Sequence, residues 1–459
     1  MPAMPMPVRT QARNVRSFAR CCCTYLESEP LDDLSDMGIL NLQSRMVTEM
    51  ISLHRKQEQK YKERLMILPR KERIIEIETL RGMAFAAVVL QHSIAHYSLV
   101  PQAGLQDGVV MAVLLMLAKF AVPLFIFITG MVLFYNTGEQ LNYSQFMRKR
   151  VMDVILPYVV WTLIYFILIP RSWTGFGWQE LSDLGLKVVT GKTASHFWYI
   201  IMLIQIYVFF PLFLRSIRYI YQRYQAKGRM IALLISGIVY LILADQLSTI
   251  ARWMEPLQIP VLTDAFTTYA DRNFIYFFFY FVLGAAAGLS VQNWRKWVHR
   301  LRWVSWLVFI VLGLRFIYLL MLEFQKPDGF QISFYTVSLI RPGMILFLLA
   351  SILVLYQLAV KLQQPMVLHG LAWIGGMSYG GYLMHMLVLR YSYIPDEWFY
   401  VAWGWNPIIR MIITWITALA VSCGLTWLIS RLKWGKWIVG TVPSRRPQTQ
   451  ETTNSLISK

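Results

Sequence analysis

Ten apolar stretches run through residues 82–430, at roughly 82–100, 109–135, 151–170, 196–215, 230–247, 273–291, 303–322, 333–356, 368–389 and 408–429. At about 1.5 Å per residue, each is long enough as a helix to cross most or all of the ~30 Å hydrocarbon core of a bilayer. Backbone groups in hydrocarbon must satisfy one another within the segment, so runs of this length predict helices. The expected fold class is therefore all-α: a polytopic integral membrane protein with about ten transmembrane helices. Composition agrees, because 56% of the 459 residues are hydrophobic and only 15% are charged, too apolar for an ordinary soluble domain.

A formal charge of +19 invites a nucleic-acid reading, but the cations follow loop parity instead of forming one patch. Loops after even-numbered spans hold Arg148, Lys149 and Arg150, then Arg215 to Arg229, then Arg295, Lys296, Arg300 and Arg302, then Lys361. Loops after odd-numbered spans mix fewer cations with Glu180, Asp183, Glu255, Asp264, Asp271, Asp328, Asp396 and Glu397. The positive-inside rule then places both termini in the cytoplasm and names the lipid bilayer, not nucleic acid, as the partner. Residues 1–72 read as a polar cytoplasmic tail without the pattern of a signal peptide, with Met46, Met50 and Met66 as alternative starts. Residues 73–435 read as the membrane domain, and 436–459, rich in Pro, Gln, Thr and Ser, as a disordered cytoplasmic tail. Cys21, Cys22, Cys23 and Cys423 have neither disulfide-framework nor metal-ligand spacing.

Polar residues inside such spans are costly and mark function. Arg81 and His92 are eleven residues apart, which on a helix returns to within about 20° of one direction after climbing about 16 Å. His96 lies one turn further on, about 60° from Arg81. The stripe sets a guanidinium near a membrane surface and an imidazole near the midplane. Lys119, Arg315 and Arg341 also fall within apolar stretches, and are expected either to face a polar cavity or to be structurally paired. Trp198, Tyr382 and His385 suit either a lining or a packing role. His-x-x-x-His spacing can hold a metal, but no carboxylate or thiol is nearby in sequence, so no metal is expected.

The stretch Glu78-Thr79-Leu80-Arg81-Gly82-Met83-Ala84, leading to His92, resembles the opening span of the membrane acyltransferase family 3, with its Arg, ten residues and His. Later stretches match that family in order. Lys119-Phe120-Ala121-Val122-Pro123-Leu124-Phe125-Ile126-Phe127-Ile128-Thr129-Gly130 is similar to the second-span pattern, with Thr129 where Ser is usual. Arg148-Lys149-Arg150 with Leu156-Pro157-Tyr158 and Trp161, then His196-Phe197-Trp198-Tyr199 with Gln205, Tyr207 and Pro211, then Ser378-Tyr379 with Tyr382-Leu383-His385, resemble later motifs. One departure is Asp153, three residues after Arg150, where the family often has a second Arg.

The resemblance implies transfer of an acyl group, usually acetyl from cytoplasmic acetyl-CoA, to a hydroxyl of a cell-surface glycan or its lipid-linked precursor. It also implies a cell-membrane location, with the bacterial cytoplasmic membrane expected, and polysaccharide-biosynthesis proteins as partners. A hydroxyl needs a base near neutral pKa to attack an acyl group, and an imidazole suits that task. His92 is the expected base, with Arg81 as its catalytic companion on CoA phosphate or developing charge. Arg150, Arg148 and Lys119 are expected on the donor, and His96, Trp198, Arg315, Arg341, Tyr382 and His385 on substrate. A transporter or flippase for a glycan or amphiphile, binding substrate without covalent change, is the alternative, and a structural partner of a synthase is a third reading.

Overall fold

A computed structural model describes residues 74–138, 140–169, 177–259, 261–326, 329–330, 332–362 and 365–442, together with Ser52. The N-terminal tail apart from Ser52, and residues 443–459, lie outside the described residues. Helices α1 (Ile75–Tyr97), α2 (Leu105–Ala118), α3 (Ala121–Asn136), α4 (Tyr143–Arg150), α5 (Leu156–Leu168), α6 (Trp178–Thr190), α7 (Trp198–Arg223) and α8 (Ala226–Asp245) form the first half. After short helices across 247–276 come α9 (Phe278–Leu289), α10 (Val291–Arg300), α11 (Arg302–Glu323), α12 (Pro342–Lys361), α13 (Pro365–Trp403), α14 (Pro407–Ser430) and α15 (Lys436–Val439). The strands among the described residues are a two-residue antiparallel pair, Gln325 opposite Phe330 and Lys326 opposite Gly329. The protein is all-α in architecture.

Among the described residues, seven helical stretches are long and apolar enough to cross a membrane: Leu105–Asn136, Tyr143–Leu168, Trp198–Arg223, Ala226–Asp245, Arg302–Glu323, Pro342–Lys361 and Pro407–Ser430. The other three expected spans are helical too, but each has a feature that sets it apart. In α1, Glu76, Glu78 and Arg81 crowd the first two turns. Helix α9 has 12 residues, about 18 Å, which is shorter than the hydrocarbon core. Helix α13 runs for 39 residues, contains Pro395 and carries polar residues along its length.

Prolines set the irregularities. A proline ring clashes with the carbonyl four residues earlier and cannot donate to it. Pro123 acts in this way on Lys119, and the chain breaks between α2 and α3 at Lys119–Phe120. Pro157 acts on Asp153, where Val151–Ile155 widens into a π-helical turn. The bulge receives residues 436–442: Thr441 Oγ1 donates to Asp153 Oδ1 at 2.8 Å and Trp161 Nε1 to the Ile438 carbonyl at 3.0 Å. The expected disordered tail therefore begins too early at 436, since the chain from Lys436 to Val442 packs against this bulge and Val439 is buried. The polar composition beyond it masked that short apolar stretch.

Close helix approach depends on small residues. In α9, a Cβ on Gly284 would collide with the Phe127 carbonyl of α3, and one on Gly288 with that of Met131. The same holds where α1 meets α13, because Gly375 lies against the Glu78 carbonyl and Gly82 against that of Leu371. Helix α14 closes the other flank of α1: Ser93 Oγ donates to the Met411 carbonyl and Trp415 Nε1 to that of Ala86, at 3.1 and 2.9 Å. Helix α1 is thereby enclosed along the stripe that carries Arg81, His92 and His96.

Candidate active site

Three imidazoles meet in the core. His92 of α1 and His385 of α13 have ring centroids 5.2 Å apart, His385 and His196 are 4.6 Å apart, and His92 and His196 are 6.3 Å apart. His196 precedes α7 in a turn and is 2% exposed, His385 is fully buried, and His92 is partly buried. The Tyr382 hydroxyl donates to the His196 carbonyl. Tyr165 binds the Leu383 carbonyl at 3.1 Å and accepts from the Leu387 amide at 3.0 Å, which fixes the α13 backbone beside the rings.

The hydrogen bonding leaves reactive nitrogens. His385 Nδ1 lies 2.7 Å from the Tyr382 carbonyl; a carbonyl can only accept, so Nδ1 carries the proton and Nε2 presents a lone pair. Among the described residues, Nε2 of His385 and both ring nitrogens of His196 are buried without a well-aligned hydrogen-bond partner, although the His196 ring lies close to the Tyr382 and Leu383 backbone. Buried polar atoms left in this state are uncommon and often mark chemistry. The nitrogens do not converge as metal ligands, since no group of three His, Cys, Asp or Glu among the described residues could hold a metal ion. The arrangement suits proton transfer between imidazoles.

Along α1 the two ends of the stripe differ. At one end Arg81 is within electrostatic reach of Glu78, Tyr207, Tyr199 and Arg150. The Arg150 guanidinium lies over the rings of Phe146 and Tyr207, at 5.1 and 5.3 Å, and its Nε is buried without a hydrogen-bond partner among the described residues. Arg148 is exposed. Asp153 bonds Thr441, so the residue that replaces a second Arg anchors the C-terminal segment. Two arginines beside two tyrosines can hold a phosphorylated ligand, since guanidinium forks match phosphate oxygens. At the other end His96 stacks on Tyr393 of α13, 3.5 Å between centroids with planes 9° apart.

The remaining predicted residues divide. Tyr382 and His385 join the histidine cluster, with Tyr382 also 5.7 Å from Tyr199. Lys119 sits at the α2–α3 break, within electrostatic reach of His92 and away from the phosphate-like end. Trp198 packs on Phe277 at 5.5 Å, outside the cluster. Arg315 lies exposed on the outer face of α11 beside the exposed Leu314 and Tyr318, and so lines no part of this site. Arg341 is the N-cap of α12, which Pro342 starts, so it lies at a helix end. Sequence reasoning left out His196 and Tyr165 as site residues. His196 opens the His196-Phe197-Trp198-Tyr199 motif, but nothing local connects residue 196 with residues 92 and 385.

A helical membrane protein with buried imidazoles and a cationic end on one helix has the equipment of a membrane group-transfer enzyme. The chain belongs to the acyltransferase domain family Acyl_transf_3, whose model matches residues 74–431. No curated protein and no solved structure matched. The match begins at the first residue before α1 and spans the whole histidine site. It makes this a membrane acyltransferase.

Proposed function

We propose that the protein is a membrane O-acetyltransferase that moves acetyl from acetyl-CoA to a hydroxyl of a surface glycan or its lipid-linked precursor. The observation that carries this reading is the position of His92. It stands between an Arg81–Arg150 end fit for CoA phosphates and a polar end at His96, against two imidazoles with unpartnered nitrogens.

In this reading the acceptor oxygen attacks the acetyl carbonyl carbon while His92 takes the hydroxyl proton. The tetrahedral oxyanion collapses, the C–S bond breaks, and the CoA thiolate leaves with the electron pair. The proton then passes from the imidazole to the thiolate sulfur, and His385 and His196 offer lone pairs along the way. Lys119, expected on the donor, is suited by its place beside His92 to the developing oxyanion. Arg81 and Arg150 hold the donor, with the exposed Arg148 at its entrance. Ten crossings with both termini in the cytoplasm would set the donor end inside and the His96 end outside.

The test is acetyl transfer by membranes containing the protein. Labelled acetyl-CoA should be consumed, with label appearing in a hydroxyl ester, and His92→Ala should abolish both. A well-expressed His92→Ala protein that keeps near-normal transfer removes His92 as the base, whereas wild-type membranes that form no labelled ester favour a flippase.

A further inference from the structure

We propose that the cavity between the C-terminal turns of α13 and the start of α14 is a subsite for one uncharged, hydroxyl-rich ring, a glycosyl unit of the acceptor; this rests on the acetyltransferase reading. The cavity holds about 120 Å³ and is lined by Ser392, Pro395, Asp396, Trp405, Arg410, Ile413, Thr414 and Thr417. That volume is far below what a drug-sized ligand or an acyl chain needs and suits a single small ring.

The lining has the chemistry of sugar recognition. Asp396 and Arg410 form a bidentate pair, Arg410 Nε and Nη2 donating to Oδ1 and Oδ2 at 2.9 and 2.6 Å, and both residues are buried. Their charges cancel, so the cavity offers polar atoms without a net charge that would select an ion. Ser392, whose hydroxyl donates to the Val388 carbonyl, and Thr414, bonded to Tyr97, keep acceptor capacity, and Thr417 adds a further hydroxyl. Trp405, Ile413 and Pro395 supply the apolar wall that the C–H face of a pyranose requires, and an indole can do so while its N–H meets a polar group. A phosphate or carboxylate would meet Asp396 there.

The cavity borders the His96 end of the catalytic stripe through directly bonded and stacked side chains. On α13, His385, Ser392 and Asp396 are separated by seven and four residues, which puts them within about 20° of one helix face. Tyr97, next to His96, bonds Thr414 through its hydroxyl at 2.8 Å and lies 5.6 Å from the Arg410 guanidinium. His96 stacks on Tyr393, the neighbour of Ser392, and His92 is one turn, about 6 Å, further in. In this proposal a ring held in the cavity leaves the rest of the acceptor to extend along the His96–Tyr393 side toward His92.

The experiment uses the full chain in native membranes and an octyl glucoside bearing a photoreactive diazirine, with the labelled peptides mapped. Saturable labelling within 392–417 is expected, competed by octyl glucoside and not by 1-octanol. Trp405→Ala should lower it about tenfold, the weight of one aromatic contact, and Thr417→Val provides a second, milder variant. Trp303→Ala, on an exposed face of α11, should leave labelling unchanged. Labelling spread over the exposed faces of α8 and α11, equal competition by octanol, or indifference to both cavity variants overturns the proposal. Release of CoA and formation of labelled acetyl ester by the wild-type protein are read in parallel. Site labelling without transfer retains the glycoside site and removes the acetyltransferase reading, while transfer without site labelling does the reverse.

Discussion

At the scale of single residues, removing the His92 imidazole makes α1 more apolar, so His92→Ala is expected to insert normally while transfer falls by about 10²–10⁴ or more. Arg81→Ala should act differently: if the guanidinium holds CoA phosphate equally in ground and transition states, the loss appears as a raised apparent KM for acetyl-CoA. His96→Ala should be the mildest of the three, because His96 stacks on Tyr393 away from the reacting carbonyl. Rates of labelled acetyl transfer at varied acetyl-CoA separate these outcomes. The sequence disclosed the Arg81–His92 stripe because eleven residues on a helix is simple geometry. It could not disclose His196 beside His385, since the 4.6 Å between their rings is set by how α7 and α13 pack. For a related reason it could not place Arg315 and Arg341, which lie on an exposed face of α11 and at the start of α12. Hydropathy locates a cation along a span, but which way the helix face turns and where the helix begins depend on its neighbours.

Among elements, the close packing of α3 on α9 yields a sharp contrast. Gly284→Leu would drive a side chain into the Phe127 carbonyl, and should destabilise by about 1–3 kcal/mol or more, as overpacking does. Gly424→Ala on α14 meets nothing within 4 Å, and should be neutral or stabilising by up to about 1 kcal/mol through helix propensity. Thermal unfolding in detergent measures both; a Gly284→Leu protein that melts with the wild type would show that the two helices can separate without cost. The run of small residues at 284–288 was readable as an interface in the sequence, but its partner on α3 was not. The Pro123 and Pro157 irregularities were readable as helix disruptions in principle. That one would place Lys119 near His92, and the other receive the C-terminal segment, came only from the fold.

For the whole molecule, charge parity predicts that the Arg215–Arg229 loop shares a side with both termini and that Asp264 faces the other. Cysteine-accessibility labelling decides it, and a residue near Asp264 that reacts only from inside sinks ten crossings. Among the described residues seven helices meet the length and hydropathy of a span outright; the donor and acceptor ends of α1 keep their separation whichever count holds. The C-terminal region gives the last test of how the chain closes. Residues 436–442 fill the bulge that Pro157 creates, with Trp161 and Asp153 bonded to them and Gly440 pressed against the Asp153 carbonyl. Its Gly440 has a φ of 73°, a conformation that other residues adopt only with strain. The bulge borders α4, whose Arg150 reaches toward Arg81, so loosening this corner should disturb the donor end before the histidines. A chain ending after Val442 is therefore expected to keep its folded yield and its apparent KM for acetyl-CoA. A chain ending after Gly435 exposes Trp161 and leaves Asp153 without Thr441, and should lose folded yield, with the surviving fraction showing a raised KM. If both truncations behave as the full chain does, the segment is a passive tail, and the π-helical turn has to be explained by Pro157 alone.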